Sequence, residues 1–344
     1  MPRASNSFIL IFTITILSLS TLITHQLLKL VSVGTRFDQA MVDRERAEML
    51  ALGGINIAIA QLSAASAPVI PSAQRAYRGT APKQKNEKKA LTSFLQRVLP
   101  HLNRWQVFNL KEEIDGIDGE LKICITCEDG KLNINEIFDF KKKDFKPTYK
   151  KMLSSLKFEG KKKAKGEFLA QLTKFLKKRN KKIDEISELH EGAARHVSQL
   201  FYEPPQRNRK PKLAKSNKAL AIQDIFTVWS NGEKVEALML SDAILSMLGL
   251  RRPIAHDAEL RKETFKKVIK KFDPKKDQNT DEYWKIVKPI HQPKSTSKIA
   301  NLKIFSSRFE PRYYSVLSSG KVGNVEQRVL AIVEEERVVR LYWI

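Results

Sequence analysis

Six histidines stand at positions 25, 101, 190, 196, 256 and 291. His190-Glu191 opens like a zinc-protease motif, but the next histidine is His196. Six residues turn a helix by about 600°, so the two rings face different ways. Cys124 and Cys127 form a C-x-x-C on a segment that reads as a strand. Three strand residues separate the Cα atoms by roughly 10 Å on opposite faces, beyond the roughly 7 Å that a disulfide bridges. Packed thiols are therefore expected rather than a redox pair, which needs a helix start. Glu128, Asp129, Asn133 and Asn135 gather oxygen-bearing side chains, and a Ca²⁺ loop is one reading of them. They lack the ligand spacing and terminal bidentate Glu of an EF-hand. Gly320-Lys321-Val322-Gly323 is too short for a phosphate cradle, and no serine nucleophile elbow occurs. These residues point away from catalysis: the expectation is no enzyme and no cofactor, with Ca²⁺ the one ion kept in view.

The elements that position these residues belong to a chain of 344 residues, a length that suggests about two domains. With 42% hydrophobic residues it can bury a core. Two cysteines exclude a disulfide scaffold and a four-thiolate metal site. The net charge of +24 suggests an acidic partner, either nucleic acid or an anionic membrane. Lysine outnumbers arginine two to one, however, and readers of bases and phosphates lean on arginine.

From Ala4 to Leu28 there is no charged residue. Phe8–Leu28 is long enough for the roughly 30 Å hydrocarbon core, which takes about 20 helical residues. Arg3 precedes it, so the N-terminus is expected in the cytoplasm and the bulk of the chain outside the inner membrane. A poor cleavage site after Leu22 favours a retained anchor over a signal peptide. No proline interrupts Phe8–Leu62, which reads as one helix with Gly34 and Gly53-Gly54 as places to bend.

A basic leader, a Phe opening an apolar helix, and then Arg44, Ala47, Leu50, Ala51, Gly54, Ile55, Ala58, Ile59 and Leu62 resemble the N-terminus of type IV pilins and pseudopilins. The resemblance implies cleavage by a prepilin peptidase at Ser7–Phe8, although the family norm before the cut is Gly and Ser7 departs from it. Most members carry a Glu four residues after the first mature Phe. Phe12 stands there instead. That lack is known for the protein K type of minor pseudopilin of the type II (general) secretion pathway, which implies a subunit at the filament tip. Asp129, Gly130, Lys131, Leu132, Asn133, Ile134 and Asn135 are similar to the segment that, in that branch, closes a core strand and leads into a helical insertion. Read without the resemblance, the segment is a turn whose Asn side chains cap the backbone.

Beyond the helix, Ser63–Lys89 reads as an exposed loop and Ala90–Leu102 as a helix disturbed by Pro100. Trp105–Leu110 and Leu121–Cys127 read as strands around the turn Gly116–Gly119. Lys141–Lys182 holds 17 Lys and Arg against three acids, with Phe145, Tyr149, Met152, Leu169, Leu172 and Leu176 at amphipathic spacing. Its basic face is either simply solvated or meets anionic headgroups or an acidic partner. Helices are further expected at Ala194–Tyr202, Ser241–Leu248 and Ala258–Phe272, and Ala219–Trp229 resembles the segment of the protein K branch in which a small-residue lead-in opens a helix. Lys303–Ser306, Tyr313–Ser318, Val325–Glu334 and Val338–Trp343 read as strands, with Val325, Val329, Ala331 and Val333 facing Leu50, Ile55 and Ile59.

The expected fold is α+β: a long N-terminal transmembrane helix packed on an antiparallel pilin-like sheet, with a large all-α insertion splitting the sheet domain. The expected parts are a leader at 1–7, the helix at 8–62, a pilin-like domain at 63–135 and 301–344, and a Lys-rich insertion at 136–300. The expected function is a non-enzymatic minor pseudopilin at the tip of a secretion pseudopilus. Its partners would be minor and major pseudopilins, prepilin peptidase and inner-membrane lipid. The alternative is a nucleic-acid-binding pseudopilin of a DNA-uptake or pilus system, acting through the Lys-rich insertion.

Overall fold

The structure is a computed structural model and describes residues 4–63, 93–154, 167–189, 222–230, 232–248, 250–251, 263–264, 266–268, 271, 280–288, 292–293, 304–306, 311–334 and 336–344. Ala4–Ser63 is one uninterrupted helix, α1. At 1.5 Å per residue it is about 90 Å long. Its described lower half, from Phe12 to Val42, buries almost nothing and is lined with exposed Ile, Leu, Val and Phe. The helix is long and apolar enough to cross a membrane once. Gly34 and Gly53, expected as bending points, lie inside regular helix with open space around them.

The upper half is different. Ala47, Ala51, Gly54, Ile55, Ala58 and Leu62 recur every three or four residues and are buried. Small side chains dominate this stripe, which lets the helix axis come close to the sheet. A Cβ on Gly320 would lie 2.3 Å from the Ala47 carbonyl oxygen, and one on Gly54 would lie 2.2 Å from Ser318 Oγ. Leu50 and Ile59, expected inward, are only half-buried, while Ile55 is fully covered.

The sheet that α1 covers has five antiparallel strands. β1 (Trp105–Leu110) and β2 (Gly119–Cys127) are joined by a one-turn helix, Glu112–Asp115, which Gly116 ends in the left-handed region at φ 71°. After β2 the chain leaves the sheet. It forms three short ladders: β3 (Leu132–Asn133) with β6 (Phe226–Thr227), β4 (Phe138–Asp139) with β5 (Asp144–Phe145), and β7 (Leu250–Arg251) with β8 (Gln292–Pro293). Helices Pro147–Ser154, Glu167–Lys178, Asp242–Met247 and Thr280–Val287 lie among them. The expected helical insertion thus also contains these two-residue strands. The chain returns as β9 (Tyr313–Val322), β10 (Val325–Glu334) and β11 (Arg337–Trp343), giving the order β1-β2-β9-β10-β11. The two-residue turn Gly323-Asn324 closes β9 on β10, with Gly323 at φ 54°.

Of Lys303–Ser306, expected as a strand of this sheet, the described residues 304–306 do not join it. Phe305 instead makes a bridge with Val235 inside the insertion and stacks on Trp284 at 5.0 Å. The inner faces of Val329, Ala331 and Val333 are buried as expected, and Val325 is half-buried at the sheet end. Buried side chains of α1, the sheet and the insertion make one continuous apolar cluster, from Ala51 through Ile125 to Leu172 and Trp284. Ala194–Tyr202 and most of Ala258–Phe272 lie outside the described residues.

Candidate functional site

β2 pairs with β9 so that Gly119 faces Val322 and Cys127 faces Tyr314. Gly323 approaches Asp43 of α1, and Gly54 lies against Ser318 and Leu121. The exit at Cys127 and the return at Tyr313 therefore sit together at the end of the sheet remote from the apolar half of α1. The segment 128–135 is the joint built there.

Glu128–Gly130 is a single 3₁₀ turn, closed by the Lys131 N–H on the Glu128 carbonyl at 3.0 Å. The turn brings the Glu128 carboxylate and the Lys131 ammonium into an ion pair with both side chains almost completely buried. Lys131 Nζ also donates to Ser315 Oγ of β9 at 3.2 Å. The Asp129 carboxylate accepts the backbone N–H groups of Arg312 and Tyr313 at 2.8 and 3.2 Å, which fixes where β9 begins. Burial pushes its pKa up, and those two N–H groups oppose the shift. The Asp129 and Gly130 carbonyls accept from Glu236 and Ser241 N–H at 2.7 and 3.2 Å. Gly130 has no alternative here, because a Cβ would lie 1.9 Å from the Met239 carbonyl oxygen.

The next four residues reach into the insertion. Leu132-Asn133 pair in parallel with Phe226-Thr227. Asn133 accepts the Asn135 N–H at 3.0 Å, capping the one-turn helix Ile134–Ile137, and its amide donates to the Ser230 carbonyl. Asn135 donates to the Ile183 carbonyl and accepts the Ile183 N–H, both at 2.8 Å, so its side chain stands in for a strand neighbour. Leu132 and Ile134 are fully buried. The capping expected of the Asn residues is present, and it extends across residues distant in sequence.

Glu128, Asp129, Asn133 and Asn135 do not converge on a common point. Each is taken by a different internal partner, and no group of three or more His, Cys, Asp or Glu suited to a metal ion occurs among the described residues. A cavity of about 20 Å³, lined by Asn103, Cys124, Lys131, Asp224 and Ser315, adjoins the ion pair. That is room for roughly one water molecule. Cys124 packs on the outer face of the sheet with Leu317 and Leu330, and Cys127 lies in the core on the inner face. The opposite-face expectation therefore holds. Burial, and then the Asp129 carboxylate, raise the Cys127 thiol well above its ordinary pKa, leaving it a poor nucleophile.

Ser7 and Phe8 fall within α1, and Phe12 is 58% exposed on it. The histidine pair His190 and His196 lies outside the described residues. Sequence reasoning missed the burial of Lys131. Its only signal was an acid three residues earlier, a spacing that surface pairs share.

No family model matches the sequence, and no curated protein matches it. Among solved structures, the chain is similar to a chain of the GspK-GspI-GspJ complex from the enterotoxigenic Escherichia coli Type 2 Secretion System, at 11% identity and a TM-score of 0.38, covering 91% of this chain and 99% of that one.

Proposed function

We propose that this chain is a membrane-anchored minor pseudopilin of the protein K type, a structural subunit at the tip of a secretion pseudopilus. The observation that carries the reading is the division of α1. One half exposes apolar side chains on every side, and the other lays a stripe of alanine and glycine on an antiparallel sheet. A helix of that kind is held by lipid, or by other helices like it, at one end and by its own domain at the other. The insertion leaves and re-enters the sheet at the end remote from the apolar half. A lobe in that place occupies the position of a next subunit, which fits a tip location and gives Phe12 no neighbouring amine to pair with.

In this reading the N-terminus is cytoplasmic, the inner membrane holds α1, and the partners are other pseudopilins and the prepilin peptidase that cuts at Ser7–Phe8. The test is co-expression with a prepilin peptidase and other pseudopilins, followed by intact-mass measurement of the extracted chain and end-labelling of filaments. The expected chain begins at Phe8 and labels one filament end. A chain beginning at Met1 or Pro2, or label spread along the filament, overturns the proposal.

A further inference from the structure

Helix Glu167–Lys178 buries Leu169, Leu172 and Leu176 and turns the stripe Ala170, Thr173, Lys174 and Lys177 outward. Between it and the segment from β5 to helix Pro147–Ser154 runs an open groove of about 690 Å³. Among the described residues, Lys150, Lys174, Lys177 and Lys178 line it, against one acid, Asp144. Asp144 is taken by Lys150 at 2.7 Å, and that ammonium holds its carboxyl below the usual range. Among the described residues, Lys174, Lys177 and Lys178 form no ion pair, whereas Lys146, Arg179, Lys181 and Lys182 each have an acid. These three charges stand on one wall of a concave surface, beside the methyl of Ala170.

We propose that this groove binds an acidic peptide segment, with carboxylates on the ammonium groups of Lys174, Lys177 and Lys178 and a small apolar side chain over Ala170. The volume lies within the range of ligand clefts, roughly 300–1,000 Å³. Lysines present point charges, which suit flexible carboxylates, and among the described residues no arginine or aromatic ring lines the groove to fork a phosphate or stack a base. Membrane headgroups are a poorer match. The insertion starts beyond the far end of the sheet, roughly 50 Å along α1 from Lys29, and screening in salt acts over about 8–10 Å. This inference rests on the anchoring of α1 only to set lipid aside and does not depend on the filament reading.

The test uses the full chain in detergent and a fluorescent 12-residue Glu/Leu peptide, with anisotropy read at low and physiological salt. The groove triple Lys174→Glu, Lys177→Glu, Lys178→Glu is compared with a control triple of exposed lysines on the same insertion, Lys271→Glu, Lys285→Glu, Lys288→Glu, which changes net charge equally. The groove triple is expected to weaken binding roughly tenfold, the sum of three modest surface pairs, and the control less than about twofold. A milder Lys→Gln groove triple guards against misfolding. Equal losses in both triples would reduce the effect to bulk charge and overturn the proposal. So would no peptide binding at low salt, or tighter binding of a 12-nucleotide single-stranded DNA that the groove triple alone abolishes.

Discussion

Replacing Lys131 by methionine isolates the energetics of the joint between sheet and insertion. Its ammonium is buried against Glu128 and donates to Ser315 Oγ. Methionine matches the aliphatic stem, so packing changes little, but it leaves the Glu128 carboxylate buried without its counter-charge. Removing one member of a buried pair costs about 3–5 kcal/mol, whereas replacing both with groups of similar volume is often neutral. For a folded unit of this size, 1 kcal/mol moves the melting temperature by about 2–4 °C, so the single variant should melt roughly 6–20 °C lower. Glu128→Gln with Lys131→Met should recover most of that loss, because a neutral amide costs far less to bury than a carboxylate. The assay is thermal melting by circular dichroism of the four members of the cycle in the same detergent, with denaturant titration to obtain free energies. The coupling energy should be negative on the destabilisation scale, the double variant costing less than the sum. A single variant that loses less than about 1 kcal/mol, or a double variant that loses the full sum of the two singles, would show that the pair is hydrated and not the buried contact described here.

Gly320→Val places a branched side chain where even a Cβ lies 2.3 Å from the Ala47 carbonyl, and should cost at least the roughly 1–3 kcal/mol typical of overpacking, seen as a lower melting temperature than Gly53→Ala, where there is open space. Asp129→Asn should raise stability at pH 7 and lose that advantage on acidification: burial raises the folded-state pKa of Asp129, so its contribution is most favourable when it is protonated and falls as pH rises through the folded value. Melting curves at pH 4 and pH 7 that show the advantage unchanged would refute this sign. Phe12→Glu should leave the melting temperature of the sheet domain unaltered, because Phe12 is exposed on α1 about 50 Å from the first buried helix residue, Ala47, while the fraction recovered in filament tips should change.

The sequence by itself determined the long helix, its apolar half and the five sheet strands, because each is a local pattern. An uncharged run of apolar residues cannot be hidden, and a short continuous apolar run such as Val329–Val333, bounded by polar residues, reads as a buried strand without knowledge of its partners. β11 was legible as the β-branched and aromatic run Val338–Trp343. The packing of α1 was legible only in part. Of Leu50, Ile55 and Ile59, the natural inward residues by hydropathy, Ile55 is buried, but the helix comes so close to the sheet that alanine and glycine make most of the contact while Leu50 and Ile59 flank it.

Tertiary structure alone decided the rest, and the reason is the same in each case: the partner lies far along the chain. Lys303–Ser306 has the composition of a strand, yet the insertion offers Phe305 a bridge with Val235 and a ring to stack on, so the described residues 304–306 stay out of the sheet. Asn133 and Asn135 could be assigned as caps from the sequence, but not as links to Ser230 and Ile183, since a side-chain amide satisfies whichever backbone group the fold presents. Lys131 has the sequence signature of an ordinary exposed lysine. Only the folding of β9 over the turn, which brings Ser315 to its ammonium and closes off water, makes it a buried charge that Glu128 must neutralise.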